Sequence, residues 1–588
     1  MKKNILIGII VVFLAIIFNC CGTGSSDKQD SIADLILYNG KIVTVDSAFS
    51  IESAMAVSGN HIIKVGTNRK ILKLKGPQAE LVDLQGHMVL PGLIDSHTHP
   101  IDAALSEFDH TIPDMETIKD VLDYIHGRTQ ILRSGEWIVV KYEFITRIRE
   151  QRCPTLAELD SVAPHHPVMY LTGPDAALNS LALKLSGIDR NFRITDGGTG
   201  FVAKDPKTGE PTGIIRSCNR IVKVHSSEKV PDEEEKLQQI IELFNDYNSV
   251  GITSVGDRDL SPADLELYQK LLSTRRLTMR VAVSRQLETT LGSIEEIQNN
   301  IRRVAENPLF KEKGNFLRII GIKTYMDGGM LTGSAYMREP WGVSKMYGIT
   351  DPEYRGVLFI TKDRLIPIVG TAVESGLQVA SHTVGDGAVH ALLDVYKEVY
   401  QKMPDQLQKI RPCISHSNFM SRESVDMLKQ YGVSVDIQPA WLYKDAHTLL
   451  KQFGYDRLRW FQPLKSIFET GAIAGGGSDH MHKIGSLRAA NPYNPFLGMA
   501  TAITRRAKWL EEKLHPEEAL NREQVIRFYT INNAWLLFWE NQLGSLEPGK
   551  LADFVILDTD LLSCPEDAIQ NTLVLKTYLD GKLIYSRD

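Results

Sequence analysis

The sequence predicts an α/β protein whose main domain is a (β/α)8 TIM barrel, that is, eight parallel strands alternating with helices. The chain has 588 residues, which is more than one average domain, or one large barrel with additions. Eight short apolar stretches are separated by segments with helical periodicity, as expected of repeated strand–helix units. Polar side chains follow several of these stretches, at the points where barrel strands would end at a common mouth.

The composition is that of an ordinary globular protein, with 43% hydrophobic residues, 23% charged residues and a formal net charge of −6. Because the sequence contains no long basic run, we do not expect a nucleic-acid partner. Six cysteines are too few for a disulfide framework in a chain of this length. The four that lie beyond the N-terminal segment are therefore expected to be small buried side chains.

Residues 1–31 have the features of a lipoprotein signal peptide followed by a flexible tether. Two lysines precede an apolar run from Ile5 to Phe18, which is short for a bilayer span, and two cysteines precede a polar stretch. This order resembles a bacterial lipoprotein signal, which implies cleavage before Cys20 or Cys21 and lipidation of that cysteine. We expect a lipid-anchored protein at a membrane surface of the bacterial cell envelope, periplasmic or outer. The alternative is an uncleaved anchor helix.

Both ends of the remaining chain have strand patterns. Residues 32–90 contain several short apolar runs, with a hairpin turn predicted at Asn39-Gly40. Similar strand-like apolar runs occur from Ala552 to Asp558 and from Val574 to Tyr585. We therefore predict a small β-sandwich domain assembled from residues 32–90 and 541–588.

The barrel domain is predicted over residues 91–540, apart from the start of its first strand. Its eight strands are expected in Met88–His97, Gly251–Asp257, Met279–Ser284, Leu317–Tyr325, Leu377–His382, Arg411–His416, Val433–Gln438 and Gly471–Asp479. About 150 residues separate the first two strands, too many for one loop of a barrel. Residues from about 101 to 245 are therefore predicted to form an inserted subdomain over the mouth, where barrel active sites form.

Two histidines stand at the end of the first predicted strand. Because successive strand side chains point to opposite faces, His97 and His99 lie on one side and can bind one metal ion. Four other strand ends carry polar candidates, which are Lys323, His382, His416 and Asp479. Since barrel strand ends converge on one rim, we expect all six side chains to meet. Four histidines and a carboxylate suit zinc or a similar divalent ion with an open position for water.

These strand-end stretches resemble the motifs of the amidohydrolase superfamily. They are Pro91-Gly-Leu-Ile-Asp-Ser-His-Thr-His99, Ile322-Lys-Thr-Tyr-Met-Asp-Gly-Gly329, Ser381-His-Thr-Val-Gly-Asp386, Ser415-His416 and Gly477-Ser-Asp479, followed by Gly544-Ser-Leu-Glu-Pro-Gly-Lys-Leu-Ala-Asp-Phe-Val-Ile-Leu-Asp558. The long insertion and the Lys-x-x-x-Asp-Gly-Gly segment are similar to the YtcJ-like branch, which includes N-substituted formamide deformylases. The resemblance covers roughly residues 33–588. It implies a metal-dependent hydrolase that cleaves an amide or other non-peptide C–N bond of a small molecule.

The resemblance also implies a set of metal ligands, namely His97, His99, Lys323, His382, His416 and Asp479. The histidines of the first strand and Asp479 would bind the more buried ion, and those of the fifth and sixth strands the second. Lys323 would be carbamylated by CO₂ and bridge the two ions, which suits the free amine of a buried lysine. The alternative is a mononuclear site in which Lys323 is a neutral or ion-paired structural lysine, with neighbouring Asp327 as the candidate partner. Asp479 would be the catalytic residue, carrying a proton from the attacking water to the leaving group.

Three positions depart from the pattern of this branch and leave the substrate undecided. Asp175 or Ala176 stands in place of a histidine, Ser415 in place of a glutamate, and Gly387 in place of an arginine. Alternatives within the fold are a deaminase and an ester or lactone hydrolase. An alternative of another class is a non-catalytic, surface-tethered binding protein, against which the complete ligand set argues. The sequence also leaves a homodimer open.

A few further side chains are weaker candidates. His480 and His482 come shortly after Asp479 and are candidates for contact with substrate or metal. We expect them instead to be exposed loop residues. Trp137, Tyr325 and Trp341 would line a pocket or pack in a core.

Overall fold

The computed structural model of the protein describes residues 32–141, 143–173, 175–195 and 200–587. The predicted signal peptide, with Cys20 and Cys21, lies outside the described residues. Within the described part of the chain, no helix is both long and apolar enough to cross a membrane.

Eight parallel strands form the central sheet, and neighbouring strands in the sheet follow one another along the chain. Barrel strands one to eight are Leu93–Thr98, Ile252–Leu260, Arg280–Gln286, Leu317–Tyr325, Gln378–Thr383, Cys413–His416, Ser434–Ile437 and Ala474–Gly476. The end strands meet where the Asp479 N–H donates to the carbonyl of His97 at 2.7 Å and the His99 N–H to that of His480 at 2.8 Å. The predicted TIM barrel is therefore confirmed.

Helices separate the barrel strands and pack on them from outside. The longer ones are Glu233–Ser249, Pro262–Ser273, Ile294–Glu306, Lys362–Glu374, Asp386–Lys402, Arg422–Tyr431, Pro439–Phe453 and Pro495–Thr504. The shorter ones are Pro308–Lys311, Pro404–Ile410, Leu464–Thr470, Arg522–Phe528 and Ile531–Leu536. Most of them share the largest hydrophobic core with the strands, whereas the apolar face of Pro439–Phe453 packs in a separate cluster with Trp341 and Phe461. The helix that leads into barrel strand two is capped by Asp232, whose carboxylate accepts the Glu235 N–H at 2.9 Å.

The first predicted strand, Met88–His97, is two strands in the structure. Met88–Pro91 pairs with an outer sheet, whereas Leu93–Thr98 belongs to the barrel. Gly92 lies between them, and a Cβ at this position would collide with the side chain of Thr253. Only glycine therefore fits where the chain passes from one sheet to the other.

Two further sheets combine the N-terminal and C-terminal parts of the chain into what we call the two-sheet unit. One sheet contains Ala33–Tyr38, Ala54–Ser58, His61–Gly66 and Lys75–Asp83. The other contains Lys41–Val43, Ile51–Glu52, Met88–Pro91, Phe554–Leu557, Val574–Leu579 and Lys582–Ser586. Leu37 and Met55 of the first sheet share one apolar cluster with Val89 and Phe554 of the second. The two sheets therefore pack face to face.

The inserted subdomain follows barrel strand one and has cores of its own. Its sheet contains, in spatial order, Phe201–Lys204, Pro211–Arg216, Asp175–Leu178, Val168–Thr172 and Ile138–Val140. Its helices are Pro100–Leu105, Ile118–Thr129, Leu156–Val162 and Ser180–Ser186. Two apolar clusters lie within this part of the chain. The helices Pro100–Leu105 and Glu233–Ser249, in contrast, pack into the main barrel core.

Candidate metal centre

The predicted ligands come together at the carboxyl ends of the barrel strands. They are His97 and His99 at strand one, Lys323 on strand four, His382 on strand five, His416 on strand six and Asp479 after strand eight. We call this group the metal centre. Its members are far apart in sequence, but they lie together because the ends of the parallel strands share one rim of the barrel.

His97, His99 and Asp479 form the tightest part of the metal centre. One ligand atom from each lies within 4.8 Å of the others. The Oδ1 atom of Asp479 is 3.4 Å from His97 Nε2 and 3.2 Å from His99 Nε2. Two imidazole nitrogens and a carboxylate oxygen at this spacing can hold one divalent ion.

Lys323, His382 and His416 form the other part, directly beside the first. The Nζ atom of Lys323 is 3.3 Å from His97 Nε2. The ring of His416 is centred 4.7 Å from that of His382 and 4.8 Å from that of His97. Lys323 and His416 therefore both lie next to His97, so the two parts of the metal centre are adjacent.

Asp436 and Gln438 orient two of the histidine rings. The Nδ1–H of His97 donates to Asp436 Oδ1 at 2.8 Å, and Nδ1 of His416 lies 2.9 Å from the Gln438 side-chain oxygen. When Nδ1 is the donor, Nε2 keeps its lone pair for a metal. Neither residue was predicted from the sequence. Their alternation on the seventh strand was the available clue, because it places them on the same face as the ligands.

Burial keeps most of these imidazoles neutral. It lowers the pKa of His97 and His416 well below the usual value and that of His382 to about 3, and the charge of Lys323 acts in the same direction. Burial also acts to lower the pKa of His99, but the hydrogen bond and charge of Asp479 raise it overall. Neutral imidazole is the form that binds metal, so the environment prepares the ligands at neutral pH.

Aromatic side chains line the same end of the barrel. The Tyr325 ring is centred 5.3 Å from that of His382, and its hydroxyl donates to Asp259 Oδ2 at 2.7 Å. Trp441 stacks on His416, with ring centroids 4.9 Å apart and planes 10° from parallel. Trp441 was not predicted, because it lies in the helix after strand seven and belongs to no motif. Of the other aromatic candidates, Trp341 packs in the same apolar cluster as Trp441, and Trp137 packs in a core of the inserted subdomain.

Asp327, the candidate partner of an unmodified Lys323, has other partners in the structure. The Asp327 carboxylate accepts the backbone N–H groups of Tyr336, Val384 and Gly385, each at 2.9 Å. It therefore fixes the loops that follow strands four and five. A carboxylate with three backbone donors is already satisfied and has no need of the lysine.

The expectation of an exposed His480 is wrong, since none of this residue is accessible to solvent. Its Nε2–H donates to the Lys483 carbonyl at 2.7 Å, and its Nδ1 accepts the Tyr247 hydroxyl proton at 2.7 Å. The inserted subdomain covers the loop after strand eight. Lys483 of this loop donates to the Pro113 carbonyl of the subdomain at 3.0 Å and pairs with Glu143. His480 therefore has a structural role.

At two of the positions that depart from the branch pattern, the side chain is bonded to another residue of the protein. Asp175 pairs with Arg216 at 2.7 Å within the sheet of the inserted subdomain. Ser415 is fully buried, and its hydroxyl donates to Asp436 Oδ2 at 3.1 Å. Ser415 therefore supports the carboxylate that orients His97.

The protein is a parallel barrel with four histidines, a lysine and an aspartate at its strand ends. This is the architecture of a metal-dependent hydrolase. Residues 80–585 match the Amidohydrolase family. The chain belongs to that family, which confirms the resemblance predicted from the strand-end motifs.

Relatives cover nearly the whole chain. An N-substituted formamide deformylase of Arthrobacter pascens is 27% identical over 569 residues, which is 94% of this chain and 98% of that protein. A putative amidohydrolase, YtcJ, of Bacillus subtilis is 23% identical over 564 residues, covering 94% and 99%. An uncharacterized metal-dependent hydrolase from Pyrococcus furiosus has the same fold, with a TM-score of 0.63 and 23% identity over 90% of this chain and 100% of that one.

Proposed function

We propose that this protein hydrolyses an amide or another non-peptide C–N bond of a small molecule. The observation that carries the proposal is the metal centre itself, in which Asp479 lies 3.2 Å from His99 and 3.4 Å from His97 at the mouth of the barrel. Membership of the Amidohydrolase family supports hydrolysis, and the relative named as a formamide deformylase supports the C–N bond. The substrate class is the part of the proposal that experiment must decide.

The donor set of the metal centre fits a divalent ion, for which we propose zinc. The fit rests on the 4.8 Å spacing of ligand atoms from His97, His99 and Asp479, and on the neutral state of the buried imidazole of His97. These three residues would hold one ion, and His382 and His416 would hold a second. When bound, a divalent ion polarises a substrate carbonyl and lowers the pKa of water.

We also propose that Lys323 is carbamylated. Burial lowers the pKa of its amine, although the charges of Asp436, Asp259 and Asp479 oppose this effect. The unprotonated amine can add CO₂ with loss of a proton, and the new carboxylate would face both pairs of histidines. The native-state mass of active, metal-loaded protein, produced without residues 1–31, should then exceed the combined mass of that chain and its metal by one CO₂. An unmodified Lys323 in such protein would favour the mononuclear alternative.

The side chains around the metal centre would transfer the proton, orient the histidine rings and shield the site. Asp479 is placed to accept a proton from water on its Oδ1 side and to release it to the nitrogen of the leaving group. Asp436 and Gln438 keep the rings of His97 and His416 in position during this transfer. Tyr325 and Trp441 lie beside the histidines, where their rings would shield the site from bulk solvent.

The proposal is tested with purified protein and a substrate panel of formamides, other amides, lactones, esters and amino-heterocycles. We expect amide hydrolysis that a chelator abolishes and zinc restores. Release of ammonia from amino-heterocycles alone would indicate a deaminase, and turnover of esters or lactones alone the other alternative. Metal-loaded protein that binds small molecules but turns none over would favour the binding protein.

A further inference from the structure

Asn491 connects Asp479 to the rest of the molecule. This asparagine lies in the loop after strand eight and is 5% exposed. Its Nδ2 group donates to the Asp479 carbonyl at 2.7 Å and to Asp479 Oδ2 at 3.3 Å. Because Oδ1 faces the histidines, the two oxygens of the carboxylate have different neighbours, one at the metal centre and one at Asn491.

The backbone of Asp479 also needs this support. Its φ of 56° lies in the left-handed region, which non-glycine residues rarely adopt. The conformation is held on both sides, by the bond from the Asp479 N–H to the His97 carbonyl and by the bond from Asn491 to the Asp479 carbonyl, each 2.7 Å long. Asn491 therefore contacts both the main chain and the carboxylate of the proposed catalytic residue.

Arg147 of the inserted subdomain fixes the orientation of the Asn491 amide. Its Nη1 donates to Asn491 Oδ1 at 2.9 Å and to the Ala490 carbonyl at 2.6 Å. An amide whose oxygen accepts from a guanidinium must turn its NH₂ group the other way, which here is toward Asp479. The guanidinium itself is held by Asp445 through two bonds of 2.7 and 2.8 Å. Arg147 and Asp445 are only 7% and 1% exposed.

We propose that Asn491 is a positioning residue for Asp479, and that Arg147 makes this positioning depend on the inserted subdomain. The proposal rests on the proposed function insofar as Asp479 is taken to transfer the proton. Without the Nδ2 donor, the Asp479 carboxylate can rotate and exchange its oxygens, so Oδ1 no longer stays beside the histidines. The inserted subdomain thus contributes to the metal centre through Asn491, without supplying a ligand.

The first test is metal affinity, measured by chelator competition with Zn²⁺ alone. We expect Asn491→Ala to weaken Zn²⁺ binding about 10-fold to 100-fold, as is typical when a group that orients a ligand is removed. The matched control is Asn179→Ala, since Asn179 is a fully buried asparagine of the inserted subdomain that bonds only to nearby backbone, for example to the His166 carbonyl at 2.8 Å. The control should lower the melting temperature and leave Zn²⁺ affinity unchanged. Equal affinities in all three proteins would overturn the proposal.

The second test separates positioning from a general structural role by comparing two leaving groups. A simple amide needs a proton on its leaving nitrogen, whereas a nitrophenyl ester leaves as a stable anion. With native and variant protein both saturated with Zn²⁺, we expect Asn491→Ala to lower kcat for the amide about 10-fold to 100-fold with KM nearly unchanged, and to affect the ester much less. An equal loss on both substrates, or a loss confined to KM, would contradict the assignment.

The third test examines Arg147 through a double-mutant cycle. Arg147→Lys keeps a positive charge beside Asp445, so the buried carboxylate stays paired, but a single ammonium cannot hold Asp445 and Asn491 in the same geometry. We expect Arg147→Lys to weaken Zn²⁺ binding in the native background and to have little further effect in Asn491→Ala. Additive losses would show that Arg147 does not act through Asn491.

The two proposals fail in distinguishable ways. If the native protein hydrolyses no member of the panel, the proposed function is wrong, but the Zn²⁺ affinities still decide whether Asn491 positions Asp479. If the native protein is active and Asn491→Ala matches it in affinity and kcat, only the positioning proposal is wrong.

Discussion

At the scale of single residues, His97 shows how neighbours determine the chemistry of a side chain. Its Nδ1–H is bound to Asp436 at 2.8 Å, and its Nε2 faces Asp479 and Lys323 at 3.4 and 3.3 Å. Burial lowers its pKa, so the ring is neutral at physiological pH. The result is an imidazole with one fixed tautomer and one free lone pair, directed at the centre of the site.

Removing the partner of His97 should weaken metal binding. We expect Asp436→Ala to reduce Zn²⁺ affinity about 10-fold to 100-fold, because the ring of His97 loses the acceptor that orients it. Asp436→Asn is the matched control, since its side-chain oxygen can still accept the Nδ1–H bond. The measurement is chelator competition, with thermal unfolding in parallel. An Asn variant as weak as the Ala variant would mean that the charge of Asp436, and not its hydrogen bond, supports His97.

Asp479 is the residue on which catalysis should depend most. We expect Asp479→Asn to lower kcat about 100-fold to 10,000-fold, since an amide cannot take up and release the proton. Steady-state kinetics on the amide found in the panel measures this loss, and metal content is determined alongside. Unchanged hydrolysis in the metal-loaded variant would show that another group moves the proton.

The sequence predicts that the six candidate ligands lie together, but it does not predict the residues that orient them. His97 and His99 alternate on a strand and the other candidates end strands of a barrel, so their common location follows from position. Their assignment as ligands, that of Lys323 above all, follows from the family resemblance. Asn491 carries no such pattern, because an asparagine in a loop is usually a turn residue. Arg147 acts through partners hundreds of residues away, and only the folded chain brings them together.

At the scale of elements, the passage from Met88–Pro91 to Leu93–Thr98 is the point where two sheets share one chain segment. The Gly92 N–H donates to the Asp553 carbonyl at 2.9 Å. Arg280 of barrel strand three holds the carboxylate of the same Asp553 at 2.6 and 2.8 Å. The barrel strand that ends at the candidate ligands His97 and His99 is thus tied directly to the two-sheet unit.

A side chain at position 92 should strain this junction. We expect Gly92→Ala to destabilise the protein by about 1–3 kcal/mol, because its Cβ would collide with Thr253. Adding Thr253→Ala should recover part of the loss. Gly127→Ala is the control, since a Cβ there meets nothing within 4 Å and the helix Ile118–Thr129 should gain about 0.5–1 kcal/mol. Denaturant unfolding measures all three, and equal stability of the Gly92 and Gly127 variants would contradict this account.

At the scale of the whole molecule, the barrel was predictable and the detail of the inserted subdomain was not. Apolar runs such as those of Leu317–Tyr325 and Ile252–Leu260 are buried along almost their full length, so the sequence marks them clearly. The strand Phe201–Lys204 has no buried residue at all, and a sheet built from such strands leaves little pattern. The length of the insertion predicted its presence over the mouth, but only the fold reveals which of its residues reach the metal centre.

We propose that the whole molecule is held at a membrane surface by a lipid on Cys20 or Cys21. Expressed with its native N-terminal segment in a bacterium, the protein should sediment with membranes and be released by detergent. Cys20→Ala and Cys21→Ala, made separately, should differ, because only the cysteine that follows the cleavage site can be lipidated. If both variants still sediment with membranes and keep the full sequence mass, the uncleaved anchor helix is the better account.

The six-stranded sheet of the two-sheet unit has a consequence for biosynthesis. Its strand Met88–Pro91 pairs on one side with Lys41–Val43 and on the other with Phe554–Leu557. At the usual rates of about 5–20 residues per second, roughly 20 to 90 s pass between synthesis of Met88–Pro91 and of its second neighbour. During that interval an apolar strand edge has no partner, and such edges attract other chains. A nascent chain of this protein should therefore depend on chaperone protection of its N-terminal strands until translation is nearly complete.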